Sequence, residues 1–289
     1  MQIFKQTFAN RYSTPATVEP QQKLFTVIGR QGCRSIVPGN TTPSFIQALK
    51  TGVEAVELDI MMSADGQLIV TDHAVITPLN YYHPEIKYDV PVYQLTADEL
   101  SKFDCGKRFN SRYPYRKMIS TSIPVLKDVI GRMEKYILWN HIKPVQYFID
   151  IKTSPETDGI YHPKPEEMVI QLVDLIRTLN ISRRCTVISS DVRPLQHVQR
   201  LNQKINIALK VENEESVQDN VDALGFTPSI YMLHFHKVTR ENMYTIQAGG
   251  MRMIPFGAND LLDLNELYAM GVDGLLTDNP DHALKLIEK

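Results

Sequence analysis

Two short runs of this 289-residue chain set acidic and basic side chains at a spacing that chemistry can use. AVELDI (55–60) carries Glu57 and Asp59, and YFIDIK (147–152) carries Asp150 and Lys152. Residues two apart share one face of a β-strand. Carboxylates held side by side repel and desolvate one another unless a cation lies between them. Three oxygen donors from two strands suit a hard divalent cation, Mg²⁺ or Ca²⁺. A lysine beside them suits an anionic ligand, most simply a phosphate. Ordinary ion pairing on half-exposed strands gives the same spacing, so the elements that position these residues must decide.

Short apolar, β-branched runs recur along the chain: FTVIG (25–29), AVELDI, LIVTD (68–72), YFIDIK, TVISS (186–190), INIALKV (205–211), IYMLHF (230–235) and MRMIPF (251–256). Segments with helical period lie between many of them. SFIQALKTG places Phe45, Ile46 and Leu49 on one side and ends at Gly52, a C-cap signal. EEMVIQLVDLIRTLN (166–180) and DLLDLNELYAMG (260–271) repeat the design. Strand–helix alternation implies parallel strands joined by crossover helices. About eight such units in about 250 residues is the arithmetic of a (β/α)8 TIM barrel. A doubly wound open sheet is the alternative, but no glycine-rich phosphate fingerprint follows the first strand. The rhythm breaks at residues 74–122, rich in proline and tyrosine, which read as an insertion over the barrel mouth after strand three. Residues 1–24 read as an N-terminal extension and 25–289 as one barrel domain.

Composition narrows the function classes. With 43% hydrophobic and 22% charged residues, the chain is globular rather than disordered. A formal charge of −2 without a basic block argues against nucleic acid as partner. No apolar run approaches the roughly 20 residues of a membrane span. The first 22 residues lack the apolar stretch of a signal peptide, which gives a cytoplasmic default, or a periplasmic or secreted protein if a signal has been removed. Cys33, Cys105 and Cys185 have no C-x-x-C spacing and read as idle thiols, with a Cys33–Cys105 bridge left open.

From about Phe25 onward the sequence resembles the glycerophosphodiester phosphodiesterases. The resemblance rests on six blocks in order: VIGRQGCRSIVPGNTTPSFIQAL (27–49), GVEAVELDI (52–60), DGQLIVTDH (65–73), FIDIKTSP (148–155), MRMIPFGAN (251–259) and GVDGLLTDNPD (271–281). It implies a metal-dependent (β/α)8 hydrolase of phospholipid head-group diesters. It places the cation on Glu57, Asp59 and Asp150, the last standing where the family has glutamate. Lys152 matches a lysine near the phosphate, and Phe256 takes a tryptophan position lining the glycerol side. In the family the substrate's own 2-hydroxyl attacks the phosphorus before water opens the cyclic product.

The departures fall on the acid–base groups. The His-Arg-Gly motif reads Arg30-Gln31-Gly32, so Arg30 stands at the catalytic histidine position and Gln31 at the phosphate-binding arginine. The His-Asp pair reads Asp72-His73, and Pro-Glu-Asn-Thr reads Pro38-Gly39-Asn40-Thr41. Arg30 keeps its proton and cannot act as a base, although it can bind a phosphate oxygen. A one-residue shift turns a strand side chain to the opposite face. Asp72 then fills the histidine slot and His73 points away, unless a bulge or an early strand end returns His73 to the site. His234 and His236, two apart at the end of IYMLHFH and so on one strand face, could supply a displaced acid or base, contact substrate or add metal ligands if that face points into the mouth, or else serve only structure. Three readings stay open: a phosphodiester hydrolase with weakened or altered activity, a non-catalytic metal- and phosphate-binding sensor or scaffold, and different chemistry on the same barrel.

Overall fold

The computed structural model describes residues 25–287, so the N-terminal extension lies outside the described residues. Eight parallel strands form the barrel: β1 (Thr26–Gly29), β2 (Ala55–Met62), β6 (Gln146–Ile151), β7 (Cys185–Ser189), β8 (Asn206–Val211), β9 (Ile230–Leu233), β10 (Arg252–Met253) and β11 (Gly274–Thr277). They pair in the order β10-β9-β8-β7-β6-β2-β1-β11. The ring closes through Asp273 N–H to the Met253 carbonyl (2.8 Å), Leu276 N–H to the Pro255 carbonyl (2.9 Å) and a bridge between Phe256 and Leu276. β10 is short because Pro255 has no N–H to give the ladder.

Period-two alternation sorts each strand. Ile28, Ala55, Phe148, Ile188, Ala208, Met232, Ile254 and Leu276 fill the barrel interior. The alternate residues Val56, Leu58, Tyr147, Ile149, Val187 and Leu209 pack outward against Phe45, Met133, Met168 and Leu172 of the helices. Burial on both faces explains why these strands read as continuous apolar runs. The helices end where their signals stand: α1 (Thr42–Thr51) is capped by Thr41, whose hydroxyl accepts from Ser44 N–H, and stops at Gly52 with φ 87°. α4 (Pro165–Thr178) and α8 (Leu261–Met270) lie on the other two helical patterns.

The strand expected third in the barrel behaves differently. β3 (Leu68–Val70) runs antiparallel to β2, pairing Ile60 with Val70 and Met62 with Leu68. The insertion therefore follows the third strand of the chain but separates the second and third strands of the barrel. A turn at Asp65-Gly66 folds β3 straight back, and only a crossover could have made it parallel. The insertion has a small core of its own, in which Ile76, Tyr81, Val92, Leu100 and Phe103 pack on Met61 and Ile69. It holds a two-stranded ladder of β4 (Val75–Ile76) with β5 (Val90–Pro91) and a short helix, α2 (Ala97–Leu100). It leans on the barrel mouth through the Tyr113 hydroxyl, which donates to Asp278 Oδ2 at 2.6 Å, and Lys117 N–H, which donates to the Ile36 carbonyl at 2.9 Å. Cys33, Cys105 and Cys185 are free thiols. Among the described residues no helix is long and apolar enough to cross a membrane.

Candidate active site

Strand register brings the chemistry together. β2 and β6 are neighbours with Asp59 opposite Asp150 and Glu57 opposite Phe148. Inward alternation then sets Glu57, Asp59 and Asp150 at the C-terminal mouth, all buried, with one carboxylate oxygen from each within 4.8 Å of the others. Barrel active sites form at this end. Lys152 Nζ lies 2.6 Å from Asp59 Oδ1 and 2.6 Å from Asp150 Oδ2. Lys210 Nζ approaches Asp150 at 3.7 Å and Glu212 at 3.1 Å, and sits 4.9 Å above the Phe256 ring.

The loop after β1 folds onto these carboxylates. Gln31 has φ 51° and Gly32 φ 84°, and a β-carbon at Gly32 would meet the Ser44 backbone at 2.6 Å. Glycine there permits the tight turn that aims Gln31 N–H at Glu57 Oε2 (2.8 Å). The Gln31 amide donates to Asp59 (2.6 Å) and Asp72 (2.9 Å) and so ties these two carboxylates together. Asn40 donates to Asp59 Oδ2 at 2.9 Å and accepts from Asp59 N–H at 3.2 Å. Spacing along the strands gives no sign of this contact, which depends on Asn40 standing at φ 56° in the loop before α1.

Electrostatics separate the acids. Burial and the neighbouring Asp59 hold Glu57 well above the usual carboxylate range. Burial also raises Asp59, but Lys152 and the Asn40 hydrogen bond outweigh it and leave Asp59 low. Burial opposes the charges of Lys152 and Arg30, yet the surrounding carboxylates raise both. Three clustered hard-oxygen donors, one of them reluctant to ionise unaided, fit a divalent cation. Arg30 lies in the field of Glu57, Asp278 and Asp59 without a side-chain hydrogen bond or ion pair among the described residues, so its guanidinium is available to a ligand oxygen.

The strand-face argument for His73 fails because β3 ends at Val70 and alternation ends with it. Asp72 and His73 both line one cavity with Gln31. His73 Nδ1 is 2.8 Å from Asp72 Oδ1 and 3.1 Å from the Tyr81 hydroxyl. That arrangement orients the ring and leaves Nε2 without a partner among the described residues. The Asp72 hydrogen bond raises the His73 pKa against the effect of burial. Burial raises Asp72, but His73 and Gln31 more than offset it and hold Asp72 far below the usual range. Asp72→Asn should therefore bring the His73 pKa down toward its ordinary value. An NMR titration of the ring checks this, and an unchanged pKa would contradict the pairing.

His234 and His236 do not share a strand face. β9 ends at Leu233 and Phe235–Lys237 form a 3-10 turn, so strand alternation does not govern these side chains, whose rings lie 5.2 Å apart. His234 packs edge-on to Phe256 (5.5 Å), against Gly257, in the field of Arg30, while His236 is exposed and stacks on Phe235 (3.8 Å). Burial, then His236, Arg30 and Lys237, lower the His234 pKa. β9 stands four strands from β2 in either direction around the ring. His73, leaving the β2–β3 hairpin, and His234 thus approach the mouth from opposite sides.

A parallel barrel with three buried carboxylates, a lysine and an arginine at its C-terminal mouth belongs to the class of barrels whose mouth could hold a cation beside an anionic ligand. Residues 31–282 match the glycerophosphoryl diester phosphodiesterase family, and this chain belongs to it. A glycerophosphodiester phosphodiesterase of Caldanaerobacter subterraneus subsp. tengcongensis is 24% identical over 266 residues, covering 91% of this chain and 98% of that protein. One from Bacillus subtilis is 24% identical over 278 residues, covering 90% and 85%. An Oleispira antarctica phosphodiesterase, solved with its product sn-glycerol-3-phosphate, superposes with a TM-score of 0.75 at 20% identity over 92% of this chain and 98% of that one.

Proposed function

We propose that this chain hydrolyses glycerophosphodiesters to sn-glycerol 3-phosphate and an alcohol, with its acid–base pair moved to His73 and His234. The observation that carries the proposal is that two histidines of opposite electrostatic bias flank one carboxylate–lysine cluster. Displacement at phosphorus puts the attacking and leaving oxygens roughly in line, so base and acid must stand on opposite sides. His234, held low, is neutral near pH 7 and takes the proton of the attacking hydroxyl as the new P–O bond forms. His73, held high by Asp72, gives its proton to the leaving oxygen as the old P–O bond breaks. Water then attacks the cyclic phosphate, losing a proton to His73 while His234 returns its proton to the departing 2-oxygen, which yields sn-glycerol 3-phosphate. Groups whose environments push their pKa values apart divide the roles in this way. Arg30 and Lys152 neutralise the non-bridging oxygens, which replaces the charge lost at Gln31.

Glu57, Asp59 and Asp150 would hold a divalent cation, which when bound polarises the phosphoryl group as a Lewis acid. The Oleispira phosphodiesterase, with sn-glycerol-3-phosphate in its structure, supports the product class. The test is release of sn-glycerol 3-phosphate from glycerophosphoinositol and glycerophosphocholine with Mg²⁺, Ca²⁺ or a chelator. Turnover should require the cation and fall on the order of 10³-fold in Glu57→Gln, the loss of several kcal/mol of charge stabilisation. Tight binding with no turnover of any diester would overturn hydrolysis in favour of a sensor or scaffold.

A further inference from the structure

We infer that the cavity between the insertion and the β1 loop binds a second phosphate group carried by the leaving alcohol. The preferred substrates are then glycerophosphodiesters with a phosphorylated head group, a specificity that rests on the hydrolytic reading above. The cavity has a volume of about 320 Å³, and Arg34, Arg108, Arg112 and Arg116 line it against a single lining carboxylate, Asp72. Asp72 is already engaged by His73 and Gln31. Arg34 reaches Asp278 at 3.6 Å. Arg112 and Arg116 have no carboxylate partner among the described residues, and neither has Arg108, which makes one long hydrogen bond, 3.5 Å to the Tyr81 carbonyl, and lies 5.7 Å from the Tyr82 ring centroid.

Arg34 and Arg116 also crowd a single ring, that of Tyr113, with guanidinium carbons 5.2 Å and 5.8 Å from its centroid. Burial and then Arg34 lower the Arg116 pKa, which marks like-charge crowding. Clustering guanidinium groups without acids is unfavourable unless an anion joins them. Guanidinium forks match phosphate oxygens in bidentate pairs, whereas a quaternary ammonium head group would meet only repulsion. Position supplies the second half of the inference. His73 lines this same cavity, and as donor to the leaving oxygen it directs the departing alcohol into the arginine cluster.

The test compares kcat/KM for glycerophosphoinositol 4-phosphate, glycerophosphoinositol and glycerophosphocholine. The first two differ only in the added phosphate. A preference of about 30-fold for the phosphorylated substrate is expected from charge-assisted hydrogen bonds, with glycerophosphocholine poorest. Arg112→Gln/Arg116→Gln should collapse that ratio toward one, and the single Arg112→Gln, at an exposed position, should reduce it in part. Calorimetric binding of glycerophosphoinositol 4-phosphate to the same proteins separates this proposal from the hydrolytic one. Binding that weakens in the variants without turnover of any diester sinks hydrolysis and keeps the phosphate site. Equal turnover of the two inositol diesters, or a ratio indifferent to the arginines, overturns the phosphate site and leaves hydrolysis standing.

Discussion

His73→Asn and His234→Asn should each lower kcat by about 10²-fold or more, the usual range for a well-placed general acid or base. Their pH profiles should fail on opposite limbs. His234 must be unprotonated to accept a proton, and its pKa is lowered by burial, His236, Arg30 and Lys237. Activity of the natural chain therefore rises with pH through a value below the ordinary 6.5. His73 must be protonated to donate, and the Asp72 hydrogen bond raises its pKa against burial and Arg34. Activity therefore falls through a value above 6.5, which gives a bell with its plateau near neutrality. His234→Asn should flatten the acid limb and His73→Asn the alkaline one. A bell that survives both substitutions would remove these residues from the acid–base step. The double variant should lose far less than the product of the two single effects, because groups acting as a unit are not additive.

Lys152→Met carries the second large effect, this time on stability. The lysine ties Asp59 to Asp150 with two 2.6 Å contacts, and both carboxylates are nearly inaccessible to water. Removing one partner of a buried ion pair costs about 3–5 kcal/mol, because the charge left behind stays desolvated. The expected cost sits at the lower end, since 26% of the lysine side chain remains exposed and is partly screened. In chelator the thermal midpoint should fall by at least about 5 °C. Without the ammonium the cluster attracts a divalent cation more strongly, so Mg²⁺ or Ca²⁺ should raise the midpoint of the variant more than that of the natural chain. The linkage between binding and stability makes the comparison quantitative. Equal cation-induced shifts would show that the three carboxylates do not form a shared site.

The alternation of apolar runs and helices specified the barrel, because a parallel sheet buried on both faces leaves that pattern in any sequence. Spacing within AVELDI and YFIDIK put carboxylates on shared faces, since strand periodicity is local and holds wherever a strand persists. Where the strands stop, local reasoning stops too. Asp72-His73 stand past the end of β3, so counting by twos misjudged the direction of His73, and His234 and His236 stand past the end of β9, where the strand period no longer applies. Turns and packing aim those side chains instead. The antiparallel return of β3 followed from a short turn whose consequence for strand order no periodicity reveals. The register that sets Asp59 opposite Asp150 and the approach of the insertion arginines to Arg34 join residues distant in sequence. Such contacts depend on how helices and strands pack across the whole barrel. The sequence alone determined the barrel and the spacing of its acid cluster. Only the tertiary structure decided where His73 and His234 stand, because that choice is made by loop conformation and long-range packing.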